Sequence, residues 1–170
     1  MLIVLSGMPG TGKSAIADGI ASARGIPVFS VDPIESGIVR AGIPASFETG
    51  LAAYLVAERL ADRNLAAGLD VVIDAVNSVE EARDMWRGLA AKHDVELRII
   101  ECVVSDVDLH RERLVSRRRD LAIDEPSWDD VERRRDEWTA WPEPHLTLDA
   151  SDPTDANVAK ARDFVSGDPT

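Results

Sequence analysis

The sequence predicts an α/β fold with a mainly parallel sheet of five strands and helices on both of its faces. Short apolar runs alternate with helix-compatible segments along the 170 residues, as in sheets built from strand–helix–strand units. A glycine-rich loop follows the first run, and aspartates follow two later runs. Because right-handed crossovers bring the carboxyl ends of parallel strands to one edge, these groups are expected to meet there.

The first fourteen residues, MLIVLSGMPGTGKS, join a β-favouring run to a glycine-rich loop and the start of a helix. The loop fits the pattern G-x-x-x-x-G-K-[ST] with Gly7, Gly10, Thr11, Gly12, Lys13 and Ser14. Glycines let backbone N–H groups converge on phosphate oxygens, and the helix adds its positive end. Lys13 can reach the β- and γ-phosphates, and the Ser14 hydroxyl can bind Mg²⁺. These residues predict a nucleoside triphosphate site.

Between this loop and residue 68 the sequence predicts one helix, one short strand and two further helices. They cover 15–24, 27–31, 32–42 and 47–67. Asp32-Pro33-Ile34-Glu35 has the composition of a helix start, with Asp as N-cap and Pro at the first helical position. In the long helix, Leu51, Leu55 and Leu60 predict the apolar face, and Gly68 ends it.

After residue 69, three apolar strands alternate with helices. The strands cover 70–74, 96–104 and 145–148. Ser78 and Glu81 have the spacing of a capping box for the helix that follows the first of them. A helix over 106–119 becomes densely basic toward its end, a loop covers 121–126, and Ser127 caps the next helix. Asp152-Pro153 starts the last helix.

Composition limits the class of protein and its partners. A length of 170 residues fits a single domain over 1–170. The formal net charge of −12 and the pI of about 4.6 repel polyanions, which argues against nucleic acid or an anionic membrane as partner. The single cysteine, Cys102, predicts a buried, reduced thiol and a cytoplasmic protein. No run approaches the length of a membrane span, and the oligomeric state is left open.

The sequence lacks the characteristic motifs of two large classes of nucleotide-binding protein. None of the three lysines stands in the guanine-reading pattern [NT]-K-x-D, and Asp74 is followed by Ala75 where motor ATPases place a water-orienting Glu. The remaining class is a compact phosphotransferase, in which a short lid closes over ATP and excludes water.

The segments GMPGTGKS, VVIDAVNSVEEAR and ERLVSRRRD, with Asp32 after the second strand, resemble the small P-loop kinases. This group includes gluconate kinase, chloramphenicol phosphotransferase, zeta-toxin-type kinases and the 5′-end polynucleotide kinases. The likeness covers most of the chain in order and spacing. It implies the three-layer P-loop NTPase sandwich, ATP and Mg²⁺ as cofactors, an acceptor-binding segment near 33–68 and a short arginine-rich lid near 117–128.

Lys13, Asp32 and Arg117 are the predicted catalytic residues. Asp32 either accepts or orients the proton of the acceptor hydroxyl, the role of the matching Asp in the resembling kinases, or only caps a helix. Arg113 and Arg117 have the R-x-x-x-R spacing that those kinases use at the lid to hold nucleotide and transferring phosphate. Arg118 and Arg119 are the alternates.

Asp74 ends an apolar strand and is expected to hold Mg²⁺ together with Ser14, or to contact the acceptor. Asn77 and Arg83 match positions of the resembling kinases and either contact substrate or brace the loop. The full set of candidate acceptor contacts is Asp32, Glu35, Arg40, Asp74, Asn77 and Arg83. Glu35 stands where polynucleotide kinases carry Arg, which adds to the argument against a nucleic-acid acceptor.

Three functions remain open at this point. The leading one is ATP- and Mg²⁺-dependent transfer of the γ-phosphate to a hydroxyl of a small molecule, such as a sugar, an antibiotic or another metabolite. The segment 33–68 predicts a mostly apolar wall for that acceptor. A nucleotide or polynucleotide kinase would instead direct Arg40 and Arg83 into the acceptor pocket. The third is a regulatory or slow ATPase module with no acceptor.

Overall fold

The computed structural model describes residues 1–167, without the side chain of Asp136. Strands and helices alternate along this part of the chain. The strands are β1 (Leu2–Ser6), β2 (Val28–Ser30), β3 (Val71–Asp74), β4 (Leu97–Val103) and β5 (Leu146–Asp149). The helices are α1 (Lys13–Arg24), α2 (Val31–Arg40), α3 (Phe47–Ala66), α4 (Glu80–Lys92), α5 (Val107–Ser116), α6 (Trp128–Asp136) and α7 (Thr154–Ser166).

All five strands form one parallel sheet in the order β2-β3-β1-β4-β5. The central strand β1 pairs with β3 on one side, where Leu5 lies opposite Asp74, and with β4 on the other, where Ser6 lies opposite Glu101. Every residue of β1 is buried, as expected for a strand covered on both faces. The predicted α/β fold is confirmed, and the polar strand ends do meet at one edge.

Two apolar layers fill the spaces between the sheet and the helices. On one face, Leu2 and Val4 of β1 pack in a cluster with residues of α3 and α4, including Trp86. On the other, Ile3 and Leu5 pack in a cluster with residues of α1 and α7. The alternation follows from the two-residue period of a strand. Cys102 of β4 lies in the second cluster as a free, buried thiol.

The predicted apolar face of α3 is wrong. Leu51, Leu55 and Leu60 are 40–49% exposed, whereas Ala53 and its counterparts at four-residue intervals, Ala57 and Ala61, are fully buried. Both sets have helical spacing, so periodicity alone does not choose between them. Small side chains let a helix backbone approach its neighbours closely, and α3 contacts α2, α4 and the sheet. The alanine face therefore faces inward.

Helix α2 begins one residue earlier than predicted, with Ser30 at its N-cap. Asp32 is thus the second helical residue and Pro33 the third, so the prediction of Asp32 as the N-cap is wrong. Proline is still tolerated there because the amides of the first helical turn have no partner within the helix. The Asp32 carboxylate is free of a capping role.

Three other helix ends differ from the predictions. Helix α4 has Val79 at its N-cap with no side-chain capping bond, so Ser78 does not form the predicted capping box. Helix α5 ends at Ser116, which leaves Arg117 and its basic neighbours outside the helix. The N-cap of α7 is Pro153, not Asp152. Ser127 does cap α6, in a capping box with Asp130.

Within the described residues, every helix is either too short or too polar to cross a membrane.

Candidate active site

The glycine-rich loop joins the end of β1 to the start of α1. Gly10 and Gly12 have positive φ values of 85° and 82°, and Gly12 is the N-cap of α1. At Gly7, an added Cβ would lie 2.2 Å from the carbonyl oxygen of Cys102, so only glycine fits against β4. The first amides of α1, from Lys13 onward, have no acceptor within the helix. They form the amide-lined concavity that suits phosphate.

Lys13 lies inside this loop. Its Nζ donates to the carbonyl oxygens of Gly7 at 2.7 Å and Met8 at 2.9 Å, while the Thr11 hydroxyl donates to the same Met8 carbonyl at 2.8 Å. Burial lowers the pKa of Lys13, an effect that the nearby Asp74 carboxylate opposes. The ammonium is thus held beside the concavity, and the Thr11 side chain stabilises the loop from within.

The side chains of Ser14 and Asp74, the two residues predicted to hold Mg²⁺, lie within hydrogen-bonding distance of each other. The Ser14 hydroxyl donates to Asp74 Oδ2 at 2.8 Å, and the Ser30 hydroxyl donates to the same oxygen at 3.1 Å. A hydroxyl and a carboxylate are hard oxygen donors of the kind that Mg²⁺ uses. Among the described residues no three His, Cys, Asp or Glu side chains are grouped to hold a metal ion. Any ion here would therefore take its other ligands from the nucleotide and water.

Asp32 projects from the first turn of α2 toward the segment 117–127, which joins α5 to α6. There Arg119 donates to Asp32 Oδ2. The same guanidinium also binds both carboxylate oxygens of Glu125. Its Nε donates to Oε1 at 2.7 Å, and its other terminal nitrogen donates to Oε2 at 2.9 Å. The Asp32 carboxylate is therefore oriented from across the site by an arginine that a glutamate holds in place.

The basic residues near residue 117 have different surroundings. Arg113 and Arg117 line the cavity beside the loop, and Arg117 lies 3.5 Å from Glu125. Burial lowers the pKa of Arg117, and the adjacent Arg119 lowers it further. Arg118 is exposed and donates to backbone carbonyls of Val115 and Arg117. Arg119, predicted only as an alternate, is the one that touches Asp32.

A cavity of about 620 Å³ lies over the loop. It is lined by Pro9, Gly10 and Gly12 of the loop, by residues 13–15 of α1, by Asp32 and Asp74, and by Arg113, Arg117 and Arg119. Arg113 also lines a small cavity shared with residues that follow β5. The positive charges of Lys13 and the three arginines suit a polyphosphate in the larger cavity.

A second cavity of about 410 Å³ adjoins the first. The two have Pro9, Asp32, Val76, Arg117 and Arg119 in common. Glu35, whose Oε1 accepts from the Thr49 hydroxyl at 2.8 Å, lines the second cavity together with Glu125 and Arg134. The predicted mostly apolar wall is wrong, because side chains of both charges dominate this lining.

Three predicted acceptor contacts lie elsewhere. Asn77 is fully buried, donates to the Leu5 carbonyl and accepts from the Trp86 indole, both at 2.8 Å. Arg83 is 1% exposed and donates to the backbone carbonyl of Asn77 at 3.0 Å and to backbone near Thr139. Arg40 is exposed on α2 and pairs with Asp120 at 3.0 Å. Asn77 and Arg83 thus brace the loop after β3, one of the two roles predicted for them.

The family model AAA_33, described as an AAA domain, matches residues 2–138. The chain belongs to this family. The uncharacterized protein Rv2004c of Mycobacterium tuberculosis is 33% identical to this AAA_33 chain over an alignment of 128 residues. The match covers 68% of this chain and 25% of that protein. The uncharacterized protein Mb2027c of Mycobacterium bovis gives the same values. The AAA_33 chain thus spans about a quarter of the length of the curated relatives it matches.

Several solved structures with the same fold carry kinase names. A Chloroflexus aurantiacus protein that carries a kinase assignment has a TM-score of 0.77 at 24% identity over 96% of this chain and 97% of that one. A gluconokinase from Sinorhizobium meliloti has a TM-score of 0.71 at 18% identity over 96% and 90%. The Mycobacterium tuberculosis APS kinase CysC, in complex with AMPPNP and APS, has a TM-score of 0.71 at 19% identity. The match covers 98% of this chain and 97% of that one. The resemblance to small P-loop kinases is confirmed at the level of fold.

Proposed function

We propose that this AAA_33 chain is an ATP-dependent phosphotransferase that moves the γ-phosphoryl group to a hydroxyl of a small polar molecule. One observation supports this above the others: the cavity over the phosphate loop and the second cavity meet at Asp32, Arg117 and Arg119. Phosphoryl transfer needs donor and acceptor in line, with a carboxylate beside the attacking oxygen. The shared lining supplies that carboxylate where the two reactants would meet.

In the proposed reaction, the acceptor oxygen attacks the γ-phosphorus while the bond from that phosphorus to the β,γ-bridging oxygen breaks, so ADP leaves. Asp32 orients the hydroxyl and accepts its proton as the new bond forms. Lys13, which donates to loop carbonyls in this structure, turns to the β- and γ-phosphates. The amides at the start of α1 stabilise the same oxygens.

The arginines supply positive charge where the transferring group carries its negative charge. Arg117 borders both cavities, and burial lowers its pKa, so an approaching phosphate would relieve an unfavourable burial of charge. Arg113 lines the first cavity but not the second, so it would contact the nucleotide rather than the acceptor. An arginine that stabilises the transition state contributes about 10³-fold or more in rate.

Ser14 and Asp74 are the residues that would hold Mg²⁺, because their oxygens already lie 2.8 Å apart. The ion supplies charge neutralisation between the β- and γ-phosphates when it is bound. Ser30 adds a second donor to the same Asp74 oxygen and keeps the carboxylate turned toward the loop. These side chains fit the ion without further rearrangement of the strand ends.

The charged second cavity favours a polar acceptor with several hydroxyl or amino groups, such as a sugar. It does not favour a nucleotide, since Arg40 and Arg83, the arginines expected for that role, lie outside its lining. The arginines that do line it, Arg117, Arg119 and Arg134, are outnumbered there by five carboxylates. Glu35, Glu125 and Asp32 present carboxylates to the acceptor, and hydroxyl groups are the donors that neutral polyols offer to them.

The deciding experiment is transfer from γ-labelled ATP to a panel of sugars, amino sugars, polyols and antibiotics, with free phosphate measured in parallel. Asp32→Asn should abolish transfer while affinity for AMP-PNP stays near that of the parent chain. Lys13→Ala should lose both. Asp94→Asn serves as the matched control, because Asn tolerates the positive φ of 51° at that turn.

Three outcomes would overturn the proposal. Transfer by Asp32→Asn at the parental rate would reduce Asp32 to a structural residue. Hydrolysis of ATP that no panel member stimulates would favour the regulatory or slow ATPase module. Labelling of nucleotides in preference to sugars would favour the nucleotide kinase.

A further inference from the structure

His110 is a buried histidine that the proposed reaction does not use. It lies on α5, 3% exposed, and its Nε2 is 2.7 Å from the carbonyl oxygen of Pro9 in the phosphate loop. Its Nδ1 is 3.1 Å from a terminal nitrogen of Arg135 on α6. A Cβ added to Gly10 would lie 3.3 Å from the ring. The imidazole thus bridges the loop and α6.

The two contacts define the tautomer of the ring. A guanidinium nitrogen can only donate, so Nδ1 must be the acceptor, and Nε2 carries the proton that it donates to Pro9. Burial lowers the pKa of His110, and the cations Arg135, Lys13 and Arg113 lower it further. The neutral ring therefore joins a carbonyl of the loop to an arginine of α6 by one donated and one accepted bond.

Trp128 completes this group. It is the first residue of α6 and lies edge-on to the His110 ring, with centroids 5.3 Å apart and planes at 87°. The Arg135 guanidinium lies 5.1 Å from the Trp128 ring centroid, a distance typical of cation–π contacts. Both helices that border the segment 117–127 thus meet at His110, which contacts the phosphate loop at Pro9.

We propose that His110 is a positioning residue that couples the arginine-bearing segment 117–127 to the phosphate loop through Pro9 on one side and Arg135 on the other. Arg117 and Arg119 belong to a segment without helix or strand, so its ends must be anchored for these arginines to face the loop. The inference adds to the proposed function, and the coupling itself is measurable without phosphoryl transfer.

Glutamine at this position tests the bonding pattern directly. Its amide offers one donor and one acceptor, as the neutral imidazole does, whereas leucine keeps much of the bulk and loses both bonds. Hydrogen exchange of the amides in 7–14 and 117–127 is compared in the ligand-free full chain for His110→Gln, His110→Leu, Arg135→Met and the parent. Arg133→Met is the control, because Arg133 is an exposed residue of α6 that pairs with Asp130.

We expect Arg135→Met and His110→Leu to speed hydrogen exchange in 7–14 by about tenfold, which is the effect of losing about one buried hydrogen bond. Exchange in His110→Gln and Arg133→Met should match that of the parent. Exchange in 7–14 should be no faster in the double variant His110→Leu/Arg135→Met than in His110→Leu alone, because the effects of residues that act as a unit are not additive. Exchange in 7–14 that is unchanged in Arg135→Met, or fully additive effects, would overturn the coupling.

Kinetics separate this inference from the proposed function. Where an acceptor is found, loss of the anchor should lower kcat by about 10²-fold through misplaced arginines while AMP-PNP affinity changes less than threefold. If no acceptor is found, the proposed function fails, and the exchange measurements still decide the coupling.

Discussion

At the scale of single residues, Arg119 shows how the site is held together. One terminal nitrogen donates to Asp32, while Nε and the other terminal nitrogen donate to Glu125. A guanidinium fixed by a bidentate carboxylate has little freedom, so it holds the Asp32 carboxylate in one direction. The consecutive arginines 117–119 look alike in sequence, and only the path of the backbone after α5 decides which one reaches Asp32.

Arg119→Gln is therefore expected to lower kcat about 10²-fold, the cost of a misdirected reactive group, with AMP-PNP affinity close to that of the parent. Steady-state kinetics with the acceptor and calorimetry with AMP-PNP measure the two quantities. Arg118→Gln is the matched control, since Arg118 donates only to nearby backbone carbonyls. A parental kcat in Arg119→Gln would show that Asp32 needs no partner.

The residues of the phosphate loop were predictable because a fixed spacing encodes their geometry, and Asp74 because it ends an apolar strand. Asn77 and Arg83 were harder, since a match to a family motif does not say whether a side chain faces substrate or a neighbouring loop. Here Arg83 lies among Trp138, Trp141 and the backbone near Thr139. Those residues are more than fifty positions away, beyond the reach of local sequence patterns.

At the scale of elements, α3 illustrates where periodicity reaches its limit. The leucine and alanine faces both have helical spacing, and hydrophobicity favours the leucines, yet the alanines are buried. The choice depends on how closely α3 approaches its neighbours, which is a property of the assembled layers.

Ala57→Leu should destabilise the chain by about 1–3 kcal/mol, because added carbons at a fully buried, close-packed position force the helix away from the sheet. Leu55→Lys, two residues away on the exposed face, should change stability by no more than about 0.5 kcal/mol. Urea denaturation followed by circular dichroism measures both. Equal effects of the two substitutions would contradict the packing described for α3.

At the scale of the whole molecule, the parallel sheet was predictable because strands alternate with helices and crossovers are right-handed. The strand order β2-β3-β1-β4-β5 was not predicted, because several orders satisfy both rules. The acid-rich charge of the chain then sets its response to pH. One carboxylate with a changed pKa is Asp62 on α3. It accepts hydrogen bonds from Lys92, the last residue of α4, at 2.6 Å and from the following His93 at 2.7 Å. These bonds, from Lys92 first and His93 second, lower the pKa of Asp62 from 3.8 to about 2.

A carboxylate whose pKa is depressed on folding contributes stability above its unfolded pKa and loses it as pH falls through the folded value. Asp62→Asn should therefore lower Tm at pH 7, and the difference from the parent should vanish as pH falls from about 4 to 2. Thermal scans across that range provide the measurement, with Glu58→Gln on the same helix as control. A difference that persists at pH 2 would mean that Asp62 acts through packing.

The setting of Cys102 has a practical consequence. The thiol is 2% exposed, and burial raises its pKa to about 12, so almost none of it is the thiolate that reacts with maleimides or iodoacetamides. A cysteine introduced at exposed Asp124, in the segment that carries the arginines, would then take a fluorophore or spin label alone. The native chain thus needs no cysteine removal before its motions are followed by spectroscopy.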